Sequence, residues 1–283
     1  MEGVGRPLNL FALEAPHRYD PVFVTDDDIA DLATFMDMSP EDCIARLRNY
    51  APEELAEEWR RANPRTQEDI TRFYETTGLY VWELMQWHSS SARRPYLQAL
   101  DYLTKHLSPS DGHNRVYDFG CGVGTDALFL ASQGYDVTLV DVDGPTFNFA
   151  KHRFERRGLK ARFIESRDDL PELDTSYDAV LCFDVLEHLP NPAEAARRLV
   201  SALRPGGVLL QQGTFEDDGE HPCHLGEGIR RFGGLRWHIH LARLGLRRAT
   251  GLVYSKTANL ARVAQLARFG IWKMTGLWVV RSR

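Results

Sequence analysis

The run VYDFGCGVGTD, residues 116–126, constrains the fold of this chain more than any other stretch. A short apolar segment ends in Gly120, Gly122 and Gly124, and the helical pattern TDALFLASQG follows at once. Glycine lets a backbone turn sharply and lets a ligand approach with no Cβ in the way. The stretches after it keep the same alternation. YDVTLVDVD reads as a strand, PTFNFAKHRFERRG as a helix, and KARFIES and YDAVLCFD as strands. The helix NPAEAARRLVSALRPGG and the strand GGVLLQQGTF follow. Strands alternating with helices of about 10–15 residues predict a parallel sheet wound with helices. The tail adds the helical stretches GIRRFGGLRWHIHLARLG and TANLARVAQLARFG, with RRATGLVYS and GLWVVRSR as strand candidates.

Upstream the pattern is helical throughout. Thr25 or Asp26 can cap TDDDIADLATFMDM, and Ser39 with Pro40 opens SPEDCIARLRNYA with a capping hydroxyl and a proline at the first helical position. PEELAEEWRRA comes next, then a break at Asn63-Pro64, then the long stretch TQEDITRFYETTGLYVWELMQWH. The first 20 or so residues, with Pro7 and Pro16, read as an arm. The expected organisation is an all-α cap over residues 1–110 and an α/β domain over residues 111–283. The formal net charge of −6 argues against a sequence-blind nucleic-acid binder, which would carry a basic balance. No apolar run approaches the roughly 18 residues of a membrane span. The four cysteines are dispersed with no CxxC pair, which fits a reducing, cytoplasmic setting.

The spacing around the loop bears on its ligand. A dinucleotide site wants GxGxxG, but here Thr125 stands where the third glycine would be. Asp118 lies two residues before the first glycine, where it would repel a pyrophosphate and attract an amino or sulfonium group. Asp141 ends the next strand, 21 residues after Gly120, placed to take the hydroxyls of a ribose. With these pieces come DDLPE (168–172), YDAVLCFDVLEHLPNP (177–192) and LRPGGVLL (203–210). In that order they resemble the class I S-adenosylmethionine-dependent methyltransferases, particularly the small-molecule branch related to ubiquinone-biosynthesis enzymes. The resemblance covers about residues 106–255. It implies a Rossmann-like seven-stranded methyltransferase sheet with S-adenosylmethionine as cofactor. It also implies that Asp118, Gly120, Cys121, Gly122 and Gly124 hold the methionine part, Asp141 the ribose, and Val142 one face of the adenine. Arg167 would lie near the adenine edge and Phe183 beyond strand four. Where relatives often carry Asp after strand three, this chain has Ser166, which would leave adenine recognition to a hydroxyl or a backbone amide.

The chemistry is expected after strand four. Asp184, Glu187 and His188 stand at i, i+3 and i+4 and share a side if the turn is helical. His188 is the preferred general base because an imidazole titrates near neutral pH, with Glu187 beside it; the plainer alternative has both bonding nearby backbone. HPCH brings His221, Cys223 and His224 after strand five. In metal-dependent members of the superfamily a comparable run binds a divalent ion, so Asp184, Glu187, His188 and His224 form the set to examine for a metal, although none is expected. Tyr74, Trp82 and His224 are the candidate acceptor contacts, while Phe73, Tyr80 and Trp87 or Leu84 are expected to pack onto the sheet. AEEW and TDDD read as solvated faces and caps, and the tail arginines as a basic surface. The resemblance thus implies methyl transfer to a small-molecule acceptor in specialised metabolism, with a homodimer as the oligomeric state to examine. Its rivals are a metal-assisted O-methyltransferase on a vicinal-oxygen or RNA 2′-hydroxyl acceptor, a non-catalytic cofactor-binding module and a nicotinamide oxidoreductase.

Overall fold

The structure, a computed structural model, describes residues 24–166, 176–213, 215 and 226–257. Helix α1 (Asp26–Met36) starts where Thr25 Oγ1 accepts the Asp28 amide and the Asp28 carboxylate reaches back to the Thr25 amide. This reciprocal cap satisfies two of the orphan donors of a helix start. Ser39 caps α2 (Pro40–Asn49) with Pro40 in the first turn, as its sequence predicts. Helices α3 (Pro52–Ala62), α4 (Gln67–Thr76), α5 (Leu79–His88) and α6 (Arg94–His106) follow.

The single helix expected over residues 66–88 is two. The Thr77 amide bonds back to Phe73 O and closes α4, and the Thr77 hydroxyl donates to Glu58 Oε2 at 3.0 Å. Thr77 and Gly78 then turn the chain, so the helical phase of α4 does not carry into α5. The stripe expected from continuous spacing is therefore broken.

Among the described residues, seven strands form one sheet in the order β3-β2-β1-β4-β5-β7-β6. They are β1 (Arg115–Phe119), β2 (Asp136–Asp141), β3 (Arg162–Glu165), β4 (Tyr177–Phe183), β5 (Leu203–Gln212), β6 (Leu246–Thr250) and β7 (Val253–Lys256). The first five are parallel; β7 runs antiparallel to β5 and to β6. Between strands lie α7 (Thr125–Ser132), α8 (Pro145–Arg156), α9 (Pro192–Ala202), α10 (Gly226–Phe232) and α11 (Leu235–Arg243). Three readings of the second half are corrected. RRATGLVYS is not one strand but the β6–β7 hairpin, turning at Gly251-Leu252. GIRRFGGLRWHIHLARLG is two helices, because Gly234 takes a φ of 62°. The α9 helix stops at Ala202, and the Leu203–Gly207 stretch joins β5. GLWVVRSR, TANLARVAQLARFG and the N-terminal arm lie outside the described residues.

Both sheet faces are covered by apolar side chains. One face holds Ala99, Leu100 and Leu103 of α6 with Val137, Leu139 and Leu181; the other holds Leu199 and Val200 of α9 with Val180, Leu209 and Trp237. A third core binds the cap, from Ile29, Leu32, Leu47, Tyr50, Val81, Trp82 and Met85 to Val123 of the glycine loop and Phe149 of α8. Fully burying a side chain of this size contributes about 1.5–3 kcal/mol, so the cap is docked through the loop it covers. The TDDD segment is correspondingly more than a solvated cap. Asp28 pairs with Arg153 and Arg157, and Asp31, next on the same helix, is wholly buried.

Candidate active site

A cavity of about 760 Å³ opens at the C-terminal ends of β1, β2 and β4. That is where a parallel α/β sheet leaves room, since its loops diverge there. Gly120, Cys121 and Gly122 of the loop and the residues Asp118, Asp141, Val142, Ser166 and Phe183 wall one part, whereas Gly124, expected with them, is turned inward against Ala150 and Leu139. Tyr74, Leu55, Ile70 and Leu189 wall another, toward α3, α4 and the start of α9.

Asp118 is 5% exposed and ends its strand inside this cavity, and no described residue donates a hydrogen bond to its carboxylate. Burial pushes its pKa well above the usual carboxylate range, and the neighbouring Asp126 and Asp141 push it further; among the described residues Arg93 acts against them. Arg93 is itself buried and engaged with Asp126 in an ion pair. The floor of the cavity thus holds three carboxylates against one guanidinium, an arrangement that attracts a cationic group. Asp141 is fixed differently. Its Oδ2 accepts the Gly122 amide at 2.6 Å and its Oδ1 the Val142 amide at 2.7 Å. Burial raises its pKa to about 6 even so. Gly122, with a φ of 55°, has Leu84 Cδ1 only 2.6 Å from where a Cβ would stand, so the loop lies directly under α5. The Ser166 amide bonds Asp141 O at 2.8 Å, and burial followed by the neighbouring Asp141 and Asp118 raises the Cys121 thiol far above its ordinary value.

After β4 the chain passes through Asp184, whose φ of 53° is left-handed, into a single 3-10 turn, Leu186–His188. A non-glycine residue held there stores backbone strain, a feature common at functional sites. Asp184, Glu187 and His188 all reach the cavity wall, although the turn is not the α-helix that i, i+3, i+4 spacing assumes. Tyr96 donates to Asp184 Oδ2 at 2.6 Å, and its ring meets Phe183 edge-on at 5.0 Å. Tyr74 lies edge-on to His188, with ring centres 6.5 Å apart.

Trp82 is a correction. It is absent from the cavity wall and sits in the cap core beneath the Arg46 guanidinium, 5.8 Å from the ring centre. Tyr80, Leu84 and Trp87, expected against the sheet, line the cavity instead. Restarting the helix at Leu79 sets which face of α5 meets the loop. Arg167 and His224 lie outside the described residues, as do His221 and Cys223. Among the described residues no three His, Cys, Asp or Glu side chains converge as a metal set.

Four wall or supporting residues were not read from the sequence: His88, Arg93, Tyr96 and Asp126. His88 Nδ1 and Thr125 Oγ1 are 2.7 Å apart, and burial with Arg93 and Arg153 nearby keeps the imidazole neutral. Asp126 had one visible signal, an acid in the first turn of a helix, but that usually only complements the helix dipole.

Residues 117–209 match the family model described as a methyltransferase domain. This stretch is a methyltransferase domain. It spans the glycine loop, Asp141, Ser166, Phe183 and the Asp184–His188 turn, and the family is S-adenosylmethionine-dependent. Among curated proteins, the ubiquinone biosynthesis O-methyltransferase of Xylella fastidiosa (strain M23) is 36% identical over 113 residues, covering 39% of this chain and 45% of that one. The protein of the same name from Xanthomonas axonopodis pv. citri (strain 306) is 34% identical over 113 residues, covering 39% and 46%. The chain therefore spans less than half the length of these relatives. Among solved structures, the 4+2 cyclase SpnF is 22% identical with a TM-score of 0.43, over 56% of this chain and 58% of that one. Outside residues 117–209, helices α3 to α6 and the turn before α6 supply the rest of the described cavity wall.

Proposed function

We propose that the chain transfers a methyl group from S-adenosylmethionine to a small organic acceptor bearing a hydroxyl, within specialised metabolism. The observation that carries this reading is the Asp118 carboxylate, buried in the cavity with no hydrogen-bond donor among the described residues. A carboxylate in that state suits the α-ammonium of the cofactor and disfavours a pyrophosphate. Asp118 and the Gly120–Gly124 loop would hold the methionine part, Asp141 the ribose, and Val142, Ser166 and Phe183 the base and its surroundings. When bound, the cofactor supplies a methyl group already activated by a sulfonium. The chain must then exclude water, hold the acceptor oxygen about 3 Å from that carbon and take its proton. Tyr74, Leu55, Ile70 and Leu189 line the part of the cavity that would take the acceptor, and His188 would serve there as the base, with Glu187 next to it. Oxygen as the acceptor atom follows the relatives' printed name, and a hydroxyl that loses its proton on methylation is an acceptor that a base at His188 would serve.

The test is to incubate the purified chain with labelled S-adenosylmethionine and a panel of phenols, catechols and carboxylic acids, with and without EDTA. S-adenosylhomocysteine formed in both conditions supports the reading. Turnover abolished by EDTA moves it to the metal-assisted alternative, and no turnover with intact cofactor binding to a pure binding role. On a productive acceptor, His188→Ala should lower kcat by about 10²–10⁴-fold, the usual worth of a general base. Its S-adenosylhomocysteine Kd should stay within about twofold of wild type. Equal kcat values would remove His188 from the chemistry.

Asp141 gives the site a pH dependence. Its carboxyl ionises at about 6 in the folded chain, above the ordinary value of 3.8. What it contributes to stability is therefore complete below pH 3.8 and is lost as pH rises through about 6. Cofactor binding has the opposite sign, because ribose hydroxyls donate to the ionised form. S-adenosylhomocysteine affinity should fall as pH drops below 6, approaching about tenfold per pH unit. Asp141→Asn should be weaker at pH 7 and shallower in slope, since the carboxyl that titrates at about 6 is gone. Calorimetric titration between pH 5 and 7.5 measures both; a slope unchanged by the substitution would remove Asp141 from the ribose site.

A further inference from the structure

Arg153 is one of the largest fully buried side chains of the molecule, 1% exposed, yet it does not line the cavity. Its guanidinium is used on two sides. Nη1 donates to Val123 O at 2.6 Å and to Thr125 Oγ1 at 2.9 Å, both at the back of the glycine loop. Nη2 donates to Asp28 Oδ1 at 2.6 Å, and Nε to Asp31 Oδ2 at 3.2 Å, both on α1. Thr125 Oγ1 in turn meets His88 on the cavity wall.

Val123 stands between Gly122 and Gly124, whose φ values are 55° and 71°. A turn with left-handed residues on both flanks has many alternative conformations, and something outside it must select one. Asp141 does so from the cavity side by taking the Gly122 amide. Arg153 is the matching restraint from behind, on the carbonyl of the next residue. The guanidinium suits this task because its planar fork spreads five donors over three nitrogens in fixed directions, whereas an ammonium offers three from a single point. The buried charge is balanced by Asp28 and Asp31, which Arg157 also engages, while Arg156 engages Asp31 and Asp27 but makes no bond to the loop.

We propose that Arg153 is a positioning residue that holds the glycine loop in its cofactor-accepting form, with the acidic face of α1 as its anchor. The N-terminal cap thereby sets cofactor affinity through a helix that touches no part of the cavity. The proposal rests on the reading of the cavity as the S-adenosylmethionine site.

The test titrates S-adenosylhomocysteine into the full chain by calorimetry, with thermal unfolding of the same samples in its absence. Arg153→Lys keeps the positive charge but, with its donors on one atom, gives up the two-sided span between α1 and the loop. Its Kd should rise about tenfold, the equivalent of one hydrogen bond to a charged group. Arg156→Lys perturbs the same acidic cluster and should lower the melting temperature with Kd within about twofold of wild type. Should Arg153→Lys fail to fold, Thr125→Val removes one arm of the clamp at nearly constant volume and should raise Kd by about threefold or more. A folded Arg153→Lys or Thr125→Val with wild-type Kd overturns the positioning role, as does an equal rise in Arg156→Lys. Wild-type protein that takes up no S-adenosylhomocysteine overturns the cofactor reading, and the proposal with it.

Discussion

Asparagine at position 118 should lower affinity for S-adenosylhomocysteine about 100-fold, because a hydrogen bond to a charged group contributes about 1.5–3 kcal/mol and each 1.4 kcal/mol is tenfold. Asparagine keeps the shape of the side chain, so the loss isolates the charge. Stability should move the other way. Burial, Asp126 and Asp141 all raise the Asp118 pKa. The stability that Asp118 contributes is therefore present at low pH and lost as pH rises through its folded pKa. Asp118→Asn removes that loss, so the unliganded variant should melt at or above the wild-type temperature at pH 8. Calorimetry and thermal unfolding on one preparation check both halves. A variant that is destabilised and binds normally would make Asp118 a structural group. The expected trade of stability for binding is usual where a site holds groups its own fold disfavours.

Gly120→Ala should be the most damaging substitution in the loop. Gly120 has a φ of 68°, and a Cβ there would stand inside the Val185 side chain. The left-handed backbone costs an alanine about 1–2 kcal/mol, and overpacking adds about 1–3 kcal/mol. Val185 also leads into the Leu186–His188 turn, so relief of the clash moves the residues assigned to the chemistry. The expected result is a loss of roughly 2–5 kcal/mol in urea unfolding, together with loss of cofactor binding. Gly120→Ala combined with Val185→Ala removes the clash and leaves the backbone cost, so stability should return in part. A single variant as stable as wild type would show that the loop can move away from Val185 freely.

The ordered elements from β1 to β5 and the cofactor end of the cavity were legible because their signals are local. A glycine loop between a strand and a helix, an acid at the end of the next strand and a helix cap are each set within a few residues. Side-chain direction along one element follows from its period. So Asp118, Gly122 and Asp141 could be placed on one site from spacing, and Val142 and Phe183 from the resemblance those pieces carry; all five line the cavity. Even local reading failed where a short break reset the helical phase, as at Thr77-Gly78, and there Trp82 and Leu84 exchanged the roles expected of them.

The remaining residues were decided by tertiary structure. Tyr96 and Asp184 are 88 residues apart, Arg93 and Asp126 are 33 apart, and Arg153 and Asp31 are 122 apart. Apart from Asp184, each of these is an ordinary polar residue in its own segment. What makes it consequential is that a helix docks and removes it from water, where an unpaired charge is costly and a partner is required. Spacing fixes which residues share a face of a helix. Which face is buried, and against what, is decided only when other elements arrive to cover it.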